Sequence, residues 1–356
     1  MLQGKEIEHK RLKDTLVATA RINLRDRGEL QAALSELKQH LSEAYIAGPA
    51  FCIFQFVTSV KEGFDAEVGF PVTQAVEDST VKTRILRRME VLSFIHRGPV
   101  EDLGKSYRRL YGYASEHGLI SDEFCREVYL DSGAEGGSEI EIQFVIHKWN
   151  ELLATNLVRV LGREAERQVM QRSDELTVES TVEERFRWVR RAMERLEGLA
   201  DEEERYDILS RCAHVFPASQ IEKLRVVYEE TKARTGDVLE AVDAVMAFME
   251  EDPGWGERPR REGKVIYSSK KPRDPEGYEK AERELEKRKA YCFCPLVREH
   301  LEGGMPITFC YCGAGWYRQQ WEGAIGKPVT IEIVRSILKG DDLCEFAIRL
   351  PDGLWL

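Results

Sequence analysis

The sequence predicts an α+β fold in which two copies of a strand–helix–strand–strand module precede a helical region and a small cysteine-rich α+β domain. Three observations lead to this prediction. Strand-like and helix-like segments alternate twice in the same order over residues 1–147. Residues 149–252 carry long helical patterns and few strand signals, and five of the eight cysteines follow residue 290. We therefore expect domains at residues 1–148, 149–252 and 253–356, with the last two packed together.

The composition is typical of a soluble globular protein, since 42% of the 356 residues are hydrophobic and 32% are charged. No apolar run approaches the length of a membrane span, and the first residues are too charged for a signal peptide. We therefore expect a cytoplasmic protein with no membrane partner and with reduced thiols. The net charge of −11 repels polyanions, which disfavours nucleic acid as a partner.

The first module begins with a β-rich segment, "TLVATARI", at residues 15–22. A helix follows, because leucines recur at helical spacing. These are Leu30, Leu34, Leu37 and Leu41. Two strands, "FCIFQFV" and "AEVGFPV", complete the first module. The second module repeats this order with the strand "MEVLSFIHRGP", the helix "EDLGKSYRRLYGYASEHGL" and the strands "FCREVYL" and "IEIQFVI".

The two modules align with each other at an offset of 73 or 74 residues, which predicts an internal duplication. The offset places Leu37 on Leu110 and Glu67 on Glu141. Side chains alternate between the two faces of a strand, so Glu141, Gln143 and Val145 lie on one face of "IEIQFVI". The other face carries Ile140, Ile142, Phe144 and Ile146. The apolar face should pack under the helices, which leaves the glutamates on the opposite face of the sheet.

A pseudo-twofold axis between the modules would place Glu67 and Glu141 on opposite walls of one concavity, joined by Tyr129 and Glu127. One alternative is an open face that meets water, where a glutamate needs no explanation. The aromatic neighbourhood favours a cleft instead. It consists of Phe56, Phe70 and Tyr129. In a cleft, a carboxylate could bind a cationic group, or with a raised pKa it could serve as a general acid or base.

The segment "VLSFIHRGPVEDLGKSYRRLYGYASEHGL", together with "REVYL" and "EIEIQFVI", resembles the GyrI-like small-molecule-binding family, the effector domain of several multidrug-responsive regulators. The resemblance covers roughly residues 5–147, and residues 96–99 match the family's histidine-x-glycine-proline turn. It implies two modules that enclose a ligand cleft with aromatic walls and an acidic residue at its base. A tyrosine usually follows the proline of that turn, and Val100 stands there instead.

This resemblance implies two alternative functions. The first is a cytoplasmic protein that senses or sequesters a hydrophobic or cationic small molecule. Its predicted ligand-binding residues are Phe56, Glu67, Phe70, Tyr129, Glu141 and Gln143. The second is a hydrolase, because some stand-alone members of the family resemble hydrolases that use a cleft glutamate and a nearby aromatic residue. On that pattern Glu141 would act as the base towards water, and Tyr129 would orient the electrophile.

One helix of the helical region has a clear N-terminal signal in the sequence. Ser180 and Glu183 have the pattern of a capping box, and the helix that follows carries one apolar face. That face consists of Phe186, Val189, Met193 and Leu196. A charged helix, "EKAERELEKRKA", leads into the last domain. There "WYRQQWEGAIG" is predicted to be helical, and "PVTIEIVRSI" and "LCEFAIRL" to form a strand hairpin.

Five cysteines of the last domain are candidate metal ligands. They are Cys292, Cys294, Cys310, Cys312 and Cys344. Four thiolates bind Zn²⁺ tetrahedrally, and turns between pairs of cysteines bring them together. A strand would place the two members of a Cys-x-Cys pair on opposite faces, so both could bind one ion only where the backbone turns. The alternatives are small buried hydrophobic residues and redox chemistry of a neighbouring pair.

The segment "FCYCGAGWYRQQWEGAIGKPVTIEIVRSILKGDDLCEF" resembles the end of the 4-vinyl reductase domain family. That family includes ligand-sensing domains, some of which contain zinc. The resemblance implies that Cys310 is the first ligand and Cys344 the last, while Ser336 stands where the middle cysteine belongs. Another thiol of this domain would then have to replace it. A metal-dependent activity of this domain is a third functional alternative.

Overall fold

The computed structural model describes residues 7–55, 64–119, 121–131, 138–147, 149–177, 179–216, 218–251 and 259–354. The chain divides into two compact units, Met1–His147 and Lys148–Leu356. Each unit combines helices with an antiparallel sheet, so the predicted α+β class is confirmed. None of the described helices is both long and apolar enough to cross a membrane.

Eight strands and two α-helices make up the described part of the N-terminal unit. In chain order they are β1 (Glu8–Leu12), β2 (Thr15–Leu24), α1 (Gly28–Gln39), β3 (Phe51–Gln55), β4 (Phe64–Pro71), β5 (Lys82–Leu86), β6 (Met89–Gly98), α2 (Leu103–Glu116), β7 (Ser121–Asp131) and β8 (Ser138–Ile146). The strands form one sheet in the order β1-β6-β8-β7-β3-β4-β2-β5. The two predicted modules meet where β3 pairs with β7.

The two edge strands of this sheet, β1 and β5, are absent from the sequence-based prediction. They are short and rich in charge, "EHKRL" and "KTRIL", so they lack the apolar alternation that signals a strand. Each precedes one module but pairs with the other: β1 pairs with β6, and β5 pairs with β2. Charged side chains are usual on edge strands, because they discourage further pairing.

Strand register defines two faces of the sheet. Cys52 pairs with Glu127, and Glu127 pairs with Ile142, so these three side chains share one face. Leu34 of α1 shares a hydrophobic core with Cys52, and Leu110 of α2 shares one with Ile142. We therefore call this the helix face and the other the opposite face. The prediction that the apolar residues of "IEIQFVI" pack under a helix is confirmed.

The C-terminal unit consists of helices around a four-stranded sheet. Its elements are α3 (Trp149–Val169), α4 (Val182–Leu199), α5 (Glu202–Leu209), α6 (Ala218–Thr235), α7 (Val238–Glu251), β9 (Arg260–Glu262), β10 (Val265–Ser269), α8 (Pro275–Lys280), α9 (Glu284–Tyr291), α10 (Pro295–Arg298), α11 (Tyr311–Ile325), β11 (Thr330–Arg335) and β12 (Glu345–Arg349). The sheet order is β11-β12-β10-β9. One hydrophobic core runs from Trp149 to Leu354, so the helical and cysteine-rich regions share it.

The capping box of α4 lies one residue beyond its predicted position. Thr181 accepts a hydrogen bond from the Glu184 backbone N–H at 3.2 Å, and the Glu184 carboxylate accepts one from the Thr181 N–H at 2.8 Å. Ser180 instead accepts from the Thr177 N–H at 3.0 Å. The predicted apolar face of this helix is confirmed, since all four of its members are buried: Phe186, Val189, Met193 and Leu196.

The charged segment predicted as one helix forms two. Helix α8 ends at Lys280 and α9 begins at Glu284. Charge and helix propensity favour a helix throughout this segment, and neither marks a break. The predicted C-terminal hairpin is confirmed, because β11 and β12 pair antiparallel.

Candidate functional site

The strand register separates the predicted site residues onto two faces of the N-terminal sheet. Tyr129 pairs with Ile140, which lies on the helix face, whereas Glu141 pairs with Val128 on the opposite face. The expectation that Tyr129 and Glu127 join Glu67 and Glu141 in one concavity is therefore wrong. Alternation within a strand shows which of its residues share a face, but the faces of two strands are matched only by their register.

On the opposite face, Glu67 and Glu141 are each paired with a cation from an edge strand. Arg84 of β5 donates two hydrogen bonds to Glu67, both at 2.8 Å. Lys10 of β1 donates to Glu141 at 2.9 Å, and Ser93 donates to the same oxygen at 2.5 Å. Burial by itself raises the pKa of each glutamate, but the hydrogen bonds outweigh it, and both pKa values lie below the ordinary value. Neither glutamate has the raised pKa of a general acid.

The remaining predicted ligand-binding residues are also divided. Gln143 is buried on the opposite face, where its side-chain oxygen accepts a hydrogen bond from Arg126 Nε at 2.6 Å. Phe70 is buried in the core beneath α1 on the helix face. Phe56 lies outside the described residues. The six predicted residues therefore do not form one site, and their part in ligand binding remains a prediction.

The helix face contains a wholly buried carboxylate, Glu127, near the middle of β7. Arg27, which directly precedes α1, donates from Nη1 to Oε2 at 2.8 Å and from Nη2 to Oε1. Tyr107 of α2 donates to Oε1 at 2.5 Å, and Tyr129 donates to Oε2 at 2.9 Å. Each carboxylate oxygen thus accepts one guanidinium and one phenol hydrogen bond. Residues from both modules converge on this single side chain.

The pKa values of Tyr107, Tyr129 and Arg27 are shifted by burial and by their contacts with Glu127. Burial raises the pKa of Tyr107 and of Tyr129, and nearby Glu127 raises both further, so the phenols stay protonated. Burial alone would lower the pKa of Arg27, but its hydrogen bonds to Glu127 outweigh burial and the net shift is upward. The Arg27 guanidinium contacts both oxygens of the Glu127 carboxylate, which is the geometry of a bidentate salt bridge.

Two thiols flank the carboxylate. Cys52 lies beside Glu127 on β3, and Cys125 Sγ lies 3.2 Å from the Tyr107 hydroxyl oxygen. Because the Tyr107 hydroxyl donates its proton to Glu127, the Cys125 thiol must be the donor to Tyr107. Burial raises the pKa of both thiols, so they are protonated and poor nucleophiles.

Half-buried aromatic side chains surround the ion pair. The Arg27 guanidinium lies 5.2 Å from the centre of the Phe54 ring. Tyr129 packs against both hydrophobic cores, the one under α1 and the one under α2. Glu127 is therefore located where the two modules meet. We call these five residues, Arg27, Phe54, Tyr107, Glu127 and Tyr129, the inter-helix site.

The sequence pattern predicts Glu127 beside Glu67 and Glu141, whereas the register places it on the helix face, and the pattern gives no signal for Arg27. The alternation of Cys125, Glu127 and Tyr129 shows that these three share a face. The strand "REVYL" carries charge on both faces, however, since Arg126 lies on the opposite one. Arg27 belongs to a charged turn before α1, and no local pattern marks it as a partner of a residue 100 positions away.

Cys310 and Cys312 lie in a helical segment, whereas Cys292, Cys294 and Cys344 lie outside helices and strands. Ile307–Cys310 forms a 3₁₀ turn that leads directly into α11. Cys310 Sγ lies 3.4 Å from Ser336 Oγ, and Cys312 Sγ donates to the Cys212 carbonyl at 3.5 Å. Burial raises the pKa of all five candidate ligands. Within the described parts of the chain, no three His, Cys, Asp or Glu residues form a group that could hold a metal ion. Zinc binding here remains a prediction.

Two family models match this chain. Residues 6–146 match the GyrI-like small molecule binding domain. Residues 266–355 match DUF6144, a family of unknown function, so the predicted resemblance of this part to 4-vinyl reductase domains is not shown. No curated protein matches the chain.

Several solved structures are similar to about 40% of the chain. The crystal structure of the EcmrR C-terminal domain is 20% identical, covers 40% of this chain and 98% of its own, and gives a TM-score of 0.36. A hydrolase encoded by lin2189 from Listeria innocua is 12% identical, with coverages of 40% and 92% and a TM-score of 0.31. SAV2435 bound to tetraphenylphosphonium is 9% identical, with coverages of 41% and 97% and a TM-score of 0.31. The match of residues 6–146 to the GyrI-like family model confirms the resemblance that the sequence predicted for this part of the chain.

Proposed function

We propose that the N-terminal unit binds a small hydrophobic molecule at the inter-helix site, and that the protein senses or sequesters this ligand. The environment of Glu127 carries the proposal. Its side chain has 0% exposure, whereas that of its partner, Arg27, is 39% exposed. A few polar groups set among aromatic side chains are typical of small-molecule sites. The match of residues 6–146 to a small-molecule-binding domain supports the same function.

Hydrolysis at this site has less support than binding. The glutamate that contacts Tyr129 is Glu127, whereas the predicted base, Glu141, lies on the opposite face. A carboxylate offers about four lone-pair positions to hydrogen-bond donors. Glu127 accepts from two guanidinium nitrogens and two phenols, so these positions are filled. A water molecule would therefore find no free acceptor to take its proton.

N-phenyl-1-naphthylamine, an uncharged aromatic dye that fluoresces in apolar surroundings, tests the proposal on the full chain. We expect saturable binding that weakens roughly tenfold or more in Phe54→Ala, which removes an aromatic wall of the site. The matched control is Phe293→Ala, which removes an exposed phenylalanine of the C-terminal unit and should leave the affinity unchanged. Absence of saturable binding, or an unchanged affinity of Phe54→Ala, would overturn the proposal.

A further inference from the structure

We propose that Arg27 determines the charge class of the ligand, so that the inter-helix site takes neutral or anionic hydrophobic molecules and discriminates against lipophilic cations. The inference rests on the proposed function, because it concerns the ligand of the same site. Three observations carry it: the ion pair of Arg27 with Glu127, the position of Arg27 over Phe54, and the difference in exposure between Arg27 and Glu127.

The chain's own cation already occupies the features that would attract a ligand cation. A buried carboxylate binds a cation strongly only while its charge is uncompensated. Here the guanidinium of Arg27 compensates Glu127 through both carboxylate oxygens. An aromatic face is the other common attractor of cations, and the same guanidinium lies over the Phe54 ring.

A cationic ligand would therefore have to displace Arg27. The displaced side chain could turn towards water, since it is already partly exposed, but the ligand would have to replace both of its hydrogen bonds to Glu127. A compact lipophilic cation without N–H donors cannot supply them. A neutral or anionic ligand could instead bind beside the intact pair. An anion would also gain from the guanidinium, which carries five N–H donors.

Tetraphenylborate and tetraphenylphosphonium test this inference, because they have nearly the same shape and apolar surface but opposite charges. Calorimetric titration of the full chain should give at least roughly tenfold tighter binding of the borate by the wild type. Arg27→Met removes the charge and should reverse this preference. Arg27→Lys keeps the charge and should keep the preference for the borate. Arg11→Met is the matched control, because it removes a cation that is exposed on β1 and pairs with Glu90. It should leave the preference unchanged.

A second variant keeps the test decisive if circular dichroism shows that Arg27→Met does not fold. Glu127→Gln leaves Arg27 without its anionic partner, and the ratio of borate to phosphonium affinity should rise. Equal or tighter binding of the phosphonium by the wild type, with a ratio that neither variant changes, overturns the inference. Binding of N-phenyl-1-naphthylamine would then still support the proposed function. If none of the three probes binds, the proposed function and this inference both fail.

Discussion

Arg27 and Glu127 form a bidentate ion pair that joins the two modules of the N-terminal unit. Arg27 precedes α1 in the first module, and Glu127 lies in β7 of the second. The pair is asymmetric, because the carboxylate is wholly buried while the arginine side chain reaches solvent. The two partners should therefore differ in what their removal costs.

Removal of the arginine should cost more stability than neutralisation of the glutamate. Arg27→Met leaves an unpaired carboxylate in the interior, which costs about 3–5 kcal/mol. Glu127→Gln leaves an arginine that can turn towards water, and the cost should be about 1–3 kcal/mol. Urea denaturation at pH 7 measures both free energies of unfolding. Equal costs, or a larger cost for Glu127→Gln, would contradict the asymmetry.

The two phenols that hydrogen-bond to Glu127 should each contribute to stability. Tyr107→Phe or Tyr129→Phe removes one donor from a buried carboxylate, which costs about 1–3 kcal/mol. The exposed Tyr45 provides the control, since Tyr45→Phe should change the free energy of unfolding by less than about 0.5 kcal/mol. Urea titration of the three variants would refute this role if all three unfolded at the wild-type midpoint.

The ion pair of Lys10 with Glu141 should make stability depend on pH in the acid range. The pKa of Glu141 is lower in the folded state than in the unfolded state, where it is about 4.3. Its contribution is therefore fully present above pH 4.3 and is lost as the pH falls through the lower folded value. Glu141→Gln should cost about 1–3 kcal/mol at pH 7, and this difference should shrink on acidification.

The control for this prediction is Glu8→Gln, because Glu8 also contacts Lys10, at 3.2 Å, but is exposed. Its loss should cost less than about 1 kcal/mol. Denaturant unfolding of the wild type and both variants at several pH values measures these differences. A cost of Glu141→Gln that stays constant from pH 7 down to the acid transition would contradict the lowered pKa.

The thiols of Cys52 and Cys125 should resist alkylation in the native state. Burial raises the pKa of both, and only the thiolate reacts rapidly. Iodoacetamide treatment at pH 8, followed by peptide mass spectrometry, should show both cysteines unmodified without denaturant and modified in its presence. Rapid native labelling of Cys125 would show that its hydrogen bond to Tyr107 is not maintained.

The sequence-based zinc prediction is tested by elemental analysis of the purified full chain. It expects about one Zn²⁺ per chain, bound by four of the five C-terminal cysteines. Cys344→Ser should lower the zinc content, because this thiol takes the last ligand position in the predicted set. A near-zero molar ratio of zinc to wild-type protein would contradict the prediction.

The duplication and its apolar alternation were enough to predict the N-terminal modules, because both are local properties of the sequence. The apolar residues Ile142 and Phe144 pack under α2 as expected. The candidate site depends instead on contacts between distant segments. The register of β7 against β8 decides that Glu127, and not Glu141, faces the helices. Neither this register nor the contact of Arg27 with Glu127 can be predicted from a short stretch of sequence.

The exchanged edge strands make the two modules inseparable. Lys10 and Arg84 occupy equivalent positions. Lys10 precedes the first module and binds Glu141 of the second, and Arg84 precedes the second module and binds Glu67 of the first. A fragment ending after β4 would leave β2 without its outer neighbour and β1 without a partner, so neither half carries a complete sheet. The two modules of one chain thus exchange edge strands in the way that the two subunits of a domain-swapped dimer do. The unit should accordingly unfold in a single cooperative step, with no stable half-molecule along the way.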